Sequence, residues 1–203
     1  GDTALEKGSS LLVMVRFTET VPSTVELVMG NTPETERRQL LVRSLNDPVF
    51  GGSVPDVKED FRYRIDYDGK RTRDFSVKVF EFPKLERSDV TLTYPARTRL
   101  PEQRTEHTRR ASAVEGTRLR LDLQLNKPVV SAVLKPREKE AAEVALAVDP
   151  EKAVATLTDF PLVASQVYEL ILTDSDQRVN KGPAVFTIEV LPNQPPTIKL
   201  ASP

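Results

Sequence analysis

The chain contains 203 residues, of which 38% are hydrophobic and 29% are charged, and its formal net charge at pH 7 is -1. The absence of cysteine excludes disulfides, thiolate nucleophiles and cysteine-ligated zinc, and a single histidine excludes histidine-rich metal centres. Because 29 Lys and Arg residues balance 30 Asp and Glu residues, no overall field attracts nucleic acid or an anionic membrane.

The start of the chain carries no targeting signal. It begins at Gly1 rather than Met, has no charged segment followed by an apolar one, and contains no apolar stretch of about 18 residues. We therefore expect a processed chain or an excised part of a longer protein, and no direct membrane insertion by this segment.

An internal repeat is the most informative feature of the sequence. The segment GSSLLVMVRF, which begins at Gly8, matches GTRLRLDLQL, which begins at Gly116, 108 positions later. The same shift aligns every alternate apolar residue of the two segments: Leu11, Val13, Val15 and Phe17 with Leu119, Leu121, Leu123 and Leu125. Because a period of two is typical of strands with one buried face, two related β-modules follow one another.

The middle of the first module contains a glycine pair and a hairpin signal. Gly51 and Gly52 predict a loop with positive φ, because a phosphate-binding loop needs a fuller glycine pattern. The segment FRYRIDY, residues 61 to 67, alternates strictly and is followed by Asp68-Gly69 and a second alternating run at 75 to 80. This order predicts a β-hairpin.

The segment from Ala96 to Ala113 has five arginines against Glu102 and Glu106, and it holds His107, the only histidine. Contact with phosphate or acidic polysaccharide is one reading. Because the segment lacks the aromatic residues that stack on bases, we interpret it as a solvated extended segment crossing one edge of a sandwich. No serine or aspartate can be placed beside His107 from the sequence, so no Ser-His-Asp site is expected.

The second module contains about seven apolar runs. They lie at residues 90–94, 117–125, 130–135, 143–148, 153–158, 167–173 and 185–191. The strand prediction at 143–148 is the weakest of these. The Glu, Lys and Ala content of residues 137–143, immediately before it, also allows one helical turn. Seven short strands in roughly 100 residues are typical of an immunoglobulin-like sandwich.

The predicted fold is all-β, with two tandem immunoglobulin-like β-sandwich domains related by the repeat. We place the first domain at residues 1–86, without its first strand, and the second at 87–193. Residues 194–203 form a linker or the first strand of a following module.

The last segment repeats an earlier strand. Val90, Leu92 and Pro95 match Ile198, Leu200 and Pro203 at the 108-residue shift, and the first module has no counterpart of this strand. Residues 197–201 either open a following module or close the second one. In the first case, the first module has an exposed edge and is the less stable of the two.

Several short motifs resemble a known group of domains. They are Glu115-Gly116-Thr117 at the start of the long strand, Asn126 to Val129 before the next one, the tyrosine that opens the penultimate strand, and the junction Pro195-Pro196 with Ile198. In these motifs the chain resembles tandem immunoglobulin-like or fibronectin type III-like domains of large bacterial envelope and surface proteins. The resemblance implies a periplasmic or cell-surface location and no catalytic residues.

Two sets of residues are candidates for local roles. Tyr63 and Tyr168 are candidate tyrosine-corner residues, and together with Gly8 and Gly116 they are expected to be structural. Two acidic pairs, in turns that we expect to be equivalent, are weak calcium candidates: Asp66 and Asp68, and Asp174 and Asp176. Because calcium takes six to eight oxygen ligands, we interpret both as turn-forming residues.

The function that these observations favour is a non-catalytic structural or interaction module, without a cofactor or metal. Its expected partners are neighbouring domains of the same polypeptide and another envelope protein or polysaccharide, and nucleic acid is not expected. The alternatives are a module that binds polysaccharide or peptide, and an accessory domain of an enzyme encoded outside this segment.

Overall fold

The computed structural model describes residues 1–44, 47–138 and 141–192. The chain divides into two compact units, of which the first is Gly1–Glu81 and the second begins at Phe82. The sequence predicted a boundary after residue 86 instead. The difference arises because the first strand of the second unit already begins at Leu85. Residues 194–203, and with them the predicted strand at 197–201, lie outside the described residues.

In its described residues, 1–44 and 47–81, the first unit contains nine strands in two sheets. They are β1 (Thr3–Glu6), β2 (Leu11–Arg16), β3 (Val25–Met29), β4 (Arg37–Leu40), β5 (Val42–Arg43), β6 (Val49–Val54), β7 (Phe61–Tyr67), β8 (Lys70–Arg71) and β9 (Phe75–Phe80). One sheet has the order β1-β9-β7-β3-β4, with β8 paired to β7, and the other has the order β2-β6-β5. A 3-10 turn, Pro33–Thr35, precedes β4.

Alternating side chains of both sheets form the core of the first unit. The predicted hairpin is present, since β7 pairs antiparallel with β9 through Phe61, Arg62 and Tyr63. The buried residues that pack together in this core are Leu11, Val13, Val25, Leu27, Leu41, Phe50, Val57, Tyr63, Ile65 and Val77. Leu41 lies between β4 and β5, where the chain passes from one sheet to the other.

The predicted glycine loop is wrong. Gly51 and Gly52 lie inside β6, opposite Met14 and Val13 of β2, and neither has a positive φ. The reason is packing: a Cβ on Gly52 would lie 2.5 Å from Cδ2 of Leu41. Glycine here makes room for a core leucine.

The part of the second unit that the structure describes contains ten strands, β10 to β19. They are β10 (Leu85–Thr93), β11 (Gln103–Thr105), β12 (Arg110–Val114), β13 (Arg118–Leu125), β14 (Ser131–Pro136), β15 (Val144–Ala145), β16 (Ala147–Val148), β17 (Val154–Pro161), β18 (Gln166–Thr173) and β19 (Ala184–Leu191). The sheets have the orders β12-β19-β18-β14-β15 and β11-β10-β13-β17-β16. Eight of these strands repeat the strand order of the first unit, including the parallel pairs β1-β9 and β12-β19.

Three segments of the second unit differ from the sequence prediction. The strand predicted at 90–94 begins five residues earlier, at Leu85. The strand predicted at 143–148 is split between the two sheets at Leu146, whose buried side chain turns into the core. Within the predicted solvated segment at 96–113, β12 pairs with β19 and buries Ala111 and Ala113. Because the alanine side chain is small, the alternation of buried and exposed residues in β12 was not recognised. This strand was therefore interpreted from the sequence as a solvated segment.

The chain is therefore all-β, with two tandem immunoglobulin-like β-sandwiches, and the predicted fold class is confirmed. The second core is the larger, with buried residues from both sheets such as Leu121, Leu134, Leu170 and Phe186. Within the residues that the structure describes, no helix is long and apolar enough to cross a membrane.

Candidate functional site

The two sheets of the first unit present different outer faces. The sheet that contains β3, β4 and β7 carries charged side chains that pair across strands. Arg64 on β7 donates hydrogen bonds of 2.6 and 3.1 Å from Nη1 and Nη2 to the two carboxylate oxygens of Glu36. Its Nε bonds to Asp66, and Arg38 on β4 pairs with both Glu26 and Asp66. The hydrogen bonds from Arg64 lower the pKa of Glu36, so this face is stabilised as an ionised network.

The other sheet, β2-β6-β5, carries apolar side chains on its outer face. Leu12 and Met14 on β2 are 66% and 69% exposed, and Val42 on β5 is 75% exposed. The strand register places Met14, Gly51 and Val42 in one row across the three strands. Because Gly51 has no side chain, this row is an open apolar strip rather than a covered one.

Among the described residues, one edge of this sheet also has backbone groups that pair with no other strand. The amide of Phe17 donates to the carbonyl of Pro48, which extends the β2-β6 ladder and shows that odd-numbered residues of β2 bond to β6. In an antiparallel ladder the intervening residues turn their N–H and C=O groups the other way. Leu12, Met14 and Arg16 therefore present these groups to the free side of β2, where no strand pairs among the described residues. We call this side, with the outward side chains of Leu12 and Met14, the β2 edge.

The corresponding position in the second unit is covered and charged. Strand β13, the counterpart of β2, pairs with β17 on one side and with β10 on the other. On its outer face, Arg120 of β13 pairs with Asp122. Charged residues thus stand where the first unit has Leu12 and Met14.

Asp89 on β10 is the centre of the charged cluster on this second sheet. Its side chain is only 7% exposed and is held by Arg87 at 2.9 Å and Arg104 at 3.1 Å. The hydrogen bond from Arg87 is the largest influence on the pKa of Asp89, which lies far below its usual value despite the opposing effect of burial. The backbone amide of His107 adds a further hydrogen bond at 3.2 Å.

The acidic residues of the first weak calcium pair do not converge. Asp66 lies inside β7 and faces Arg64 and Arg38, whereas Asp68 follows the strand, has φ of 43°, and accepts a hydrogen bond from Ser23. Both line one open depression together with the basic residues Lys70 and Arg71. Protein cations therefore surround these carboxylates.

The second weak calcium pair, Asp174 and Asp176, contains one buried carboxylate. Asp174 is fully buried, receives Nζ of Lys127 at 2.7 Å, and accepts backbone amides from Asp176 and Arg178 at 2.9 Å each. Burial alone would raise its pKa, but the bonds from Lys127 and Arg178 outweigh burial and lower it. The predicted equivalence of the two turns is wrong, because Asp66 is a strand residue and Asp174 a turn residue. Across residues 1–44, 47–138 and 141–192, no group of three or more His, Cys, Asp or Glu side chains could hold a metal ion.

The predicted structural tyrosines are both core residues. Burial raises the pKa of Tyr63 and of Tyr168, whose side chains lie in the cores of the first and second unit. The hydroxyl of Tyr63 donates to the carbonyl of Gly1 at 2.9 Å. This partner lies 62 residues earlier in the chain, so the bond is not the short-range one of a tyrosine corner.

The predicted structural glycines occupy matching turns. Gly8 and Gly116 have φ of 83° and 85°. The amide of Gly8 donates to Val57 at 2.7 Å and that of Gly116 to Leu162 at 2.9 Å. Each glycine immediately precedes a residue whose hydroxyl caps the turn, since Ser9 donates to the carbonyl of Glu6 and Thr117 to that of Val114.

The structure brings a serine and an aspartate near the only histidine, which the sequence did not predict. Ser88 and His107 line one shallow depression beside Asp89. The hydroxyl of Ser88 donates to the carbonyl of Thr108, and Asp89 accepts the backbone amide of His107 rather than its ring. These bonds fix the backbone at residues 107 and 108, and they do not form the relay of a Ser-His-Asp triad.

The β2 edge was not predicted from the sequence, although the sequence contains a signal for it. Leu11 to Val15 are five consecutive apolar residues, whereas the matching segment Leu119 to Leu123 alternates apolar with charged residues. The interrupted alternation marks an outward face that is apolar.

Comparison with known proteins yields structural matches only. No protein-family model matches the chain, and no curated protein matches it. Among solved structures, a crystal structure of the I9-I11 tandem from titin matches at 10% identity and a TM-score of 0.40, covering 94% of this chain. The chain spans 63% of the length of that tandem. The tandem Ig repeats of Dlar match at 9% identity and a TM-score of 0.29, covering 95% of this chain and 94% of theirs.

Proposed function

We propose that this chain is a non-catalytic structural or interaction module of a longer multi-domain protein, with neighbouring domains of the same polypeptide as partners. One observation carries the proposal. Ser88, Asp89 and His107 meet at one place, and the hydrogen bonds of the serine and the aspartate there hold backbone and arginine side chains. A nucleophile needs a free hydroxyl beside a base that a third group orients, and this hydroxyl already donates to a carbonyl.

Activity screens of the full chain test the catalytic half of this proposal. We expect no turnover with ester, peptide, glycoside or phosphoester substrates, and no redox activity. His107→Ala is the decisive variant, and Ser112→Ala, at an exposed position of β12, is its matched control. Turnover that His107→Ala abolishes and Ser112→Ala preserves contradicts the proposal.

The proposal extends to a bacterial envelope or surface protein, with the chain outside the cytoplasm. Its support is the resemblance carried by Glu115-Gly116-Thr117, by residues 126–129 and by Pro195-Pro196. Fractionation of the source cells, followed by protease treatment of intact cells, tests it. Recovery of the native protein with cytosolic markers contradicts the extracytoplasmic location.

A second candidate function, peptide binding, is favoured by the β2 edge. Extended peptides bind open sheet edges through backbone hydrogen bonds, and alternate side chains supply specificity. Leu12, Met14 and Arg16 present such backbone groups, and the side chains of Leu12 and Met14 are exposed beside them. If Leu12→Arg with Met14→Asp leaves the folding of the first unit unchanged, these side chains are available for binding rather than required for packing.

A further inference from the structure

We propose that the β2 edge binds residues 196–203 of a second copy of this chain as an antiparallel strand. The proposal deepens the interaction role proposed above and rests on it. It names the occupant, the register and the resulting assembly.

The second unit provides an internal template for this pairing. Strand β10 lies antiparallel on β13, with Val90 opposite Leu121 and Leu92 opposite Leu119. Val90 and Leu92 are 3% and 6% exposed, so this strand places its alternate side chains in the core. Leu121 and Leu119 correspond to Val13 and Leu11 at the 108-residue shift, and the β2 edge is therefore the matching acceptor.

The segment TIKLASP, which begins at Thr197, carries the donor pattern. Ile198, Leu200 and Pro203 match Val90, Leu92 and Pro95 at the same shift. Transferred to β2, this register places Ile198 opposite Val13 and Leu200 opposite Leu11. Residues 90–95 are already part of the second sandwich, so residues 196–203 are the copy of this pattern outside the described strands.

Backbone geometry selects which groups form hydrogen bonds. The amide of Leu125 donates to the carbonyl of Ala153, the residue before β17, so odd-numbered residues at this end of β13 form hydrogen bonds towards β17. The even-numbered residues of β13, including Arg120, therefore bond to β10. Thr91 lies opposite Arg120, and the equivalent pair on β2 is Lys199 opposite Leu12. Lys199 therefore exchanges both backbone hydrogen bonds with Leu12, whereas the amide of Ile198 faces away.

The exposed side chains of the β2 edge suit this occupant. Lys199 and Thr197 lie on the outer face in the transferred register, beside Leu12 and Met14. The aliphatic stem of a lysine covers apolar surface while its ammonium group stays in water, so Lys199 can shield Leu12. The second unit cannot accept the segment in the same way, because β10 occupies that edge of β13.

The contact joins different surfaces of the two copies, so each contact leaves one β2 edge and one copy of residues 196–203 free for further copies. A head-to-tail contact of this kind produces rings or open chains rather than a simple symmetric dimer. We therefore expect association that increases continuously with protein concentration.

Peptide binding tests the register. The chain that ends at Pro192 retains every described strand, and it is titrated with a synthetic peptide of residues 195–203 while amide NMR signals are followed. We expect saturable shifts at Leu12, Met14 and Arg16. N-methylation of the Lys199 amide should abolish binding, and N-methylation of the Ile198 amide is the matched control that should preserve it. Absence of saturable shifts at β2, or equal effects of both methylations, overturns the proposal.

Sedimentation tests the assembly. The sedimentation coefficient of the full chain should rise with concentration, and that of the chain ending at Pro192 should not. Leu200→Asp in the full chain should abolish the rise. A full chain that stays monomeric, or association that survives removal of residues 193–203, overturns the proposed occupant. Either failure leaves the result of the activity screens unchanged, so the two proposals fail separately.

Discussion

The sheet β2-β6-β5 of the first unit and the sheet that contains β13 in the second unit have matching strands in the 108-residue repeat, but their outer faces and edges differ. Inward positions are conserved between the copies as apolar residues, such as Leu11 and Leu119. Outward positions are not: Leu12 and Met14 stand where Arg120 and Asp122 form an ion pair. Strand β10, which pairs with β13, also brings Arg87 and Asp89 to this face, and β11 adds Arg104. A repeat can thus retain its core while the chemistry of one face and one edge changes completely.

Core truncation provides the largest expected loss of stability in each unit. Leu170 and Ile65 occupy equivalent places, two residues after the buried tyrosines, and are 0% and 3% exposed. We expect Leu170→Ala to lower the free energy of unfolding of the second unit by about 4 kcal/mol and Ile65→Ala that of the first by about 3 kcal/mol. Urea unfolding followed by amide signals of each unit measures both. A single transition that both variants shift equally would show that the units share one core.

The buried carboxylate of the second unit provides the next largest expected loss. Asp174→Asn removes the charge that pairs with Lys127 at 2.7 Å and weakens the turn held by the amides of Asp176 and Arg178. We expect a loss of about 3 kcal/mol in the second unit. The matched control is Asp68→Asn in the first unit, an exposed turn residue, which should change stability by less than about 0.5 kcal/mol. Equal effects would mean that burial does not distinguish the two turns.

The same carboxylates predict a pH dependence. The pKa values of Asp89 and Asp174 are lowered in the folded state, so both groups stabilise the fold once ionised, above the unfolded pKa of about 3.9. This stabilisation is lost as the pH falls through the folded pKa values. The second unit should therefore lose stability steadily below about pH 5. Asp174→Asn should flatten this profile, and an unchanged slope in that variant contradicts the assignment.

The strand pattern was accessible from the sequence where large side chains alternate. FRYRIDY and RLRLDLQL show a period of two directly, and this was sufficient to predict the fold class. Small residues hide the same pattern, because Gly51-Gly52 and the alanines of β12 have no side chain by which to recognise a buried face. The cluster at Asp89 was not predictable, since Arg104 reaches it only after the chain has turned and paired β11 with β10.

The glycine pair in β6 tests the two faces of the first unit. A Cβ on Gly52 meets Cδ2 of Leu41 at 2.5 Å, whereas a Cβ on Gly51 has no neighbour closer than 3.9 Å and points to the apolar strip. We expect Gly52→Ala to destabilise the first unit by about 1.5 kcal/mol through overpacking. Gly51→Ala should be neutral or slightly stabilising. The midpoints of urea unfolding report both, and a destabilising Gly51→Ala would place residue 51 on the inner face.

The smallest expected effect lies where the two units are alike. Gly8 and Gly116 have nearly the same positive φ, and a Cβ at either would meet only ordinary contacts, no closer than 3.8 and 3.6 Å. The positive φ is then the source of strain for an alanine at either position. We therefore expect Gly8→Ala and Gly116→Ala each to destabilise their own unit by about 1 kcal/mol. Asparagine tolerates positive φ better than alanine, so Gly116→Asn should have a smaller effect than Gly116→Ala. Thermal unfolding of each variant measures this. Two equal losses would show that the repeat conserves this turn, although the edges of the sheets that follow it have diverged, and a loss confined to one unit would show that the turn has diverged as well.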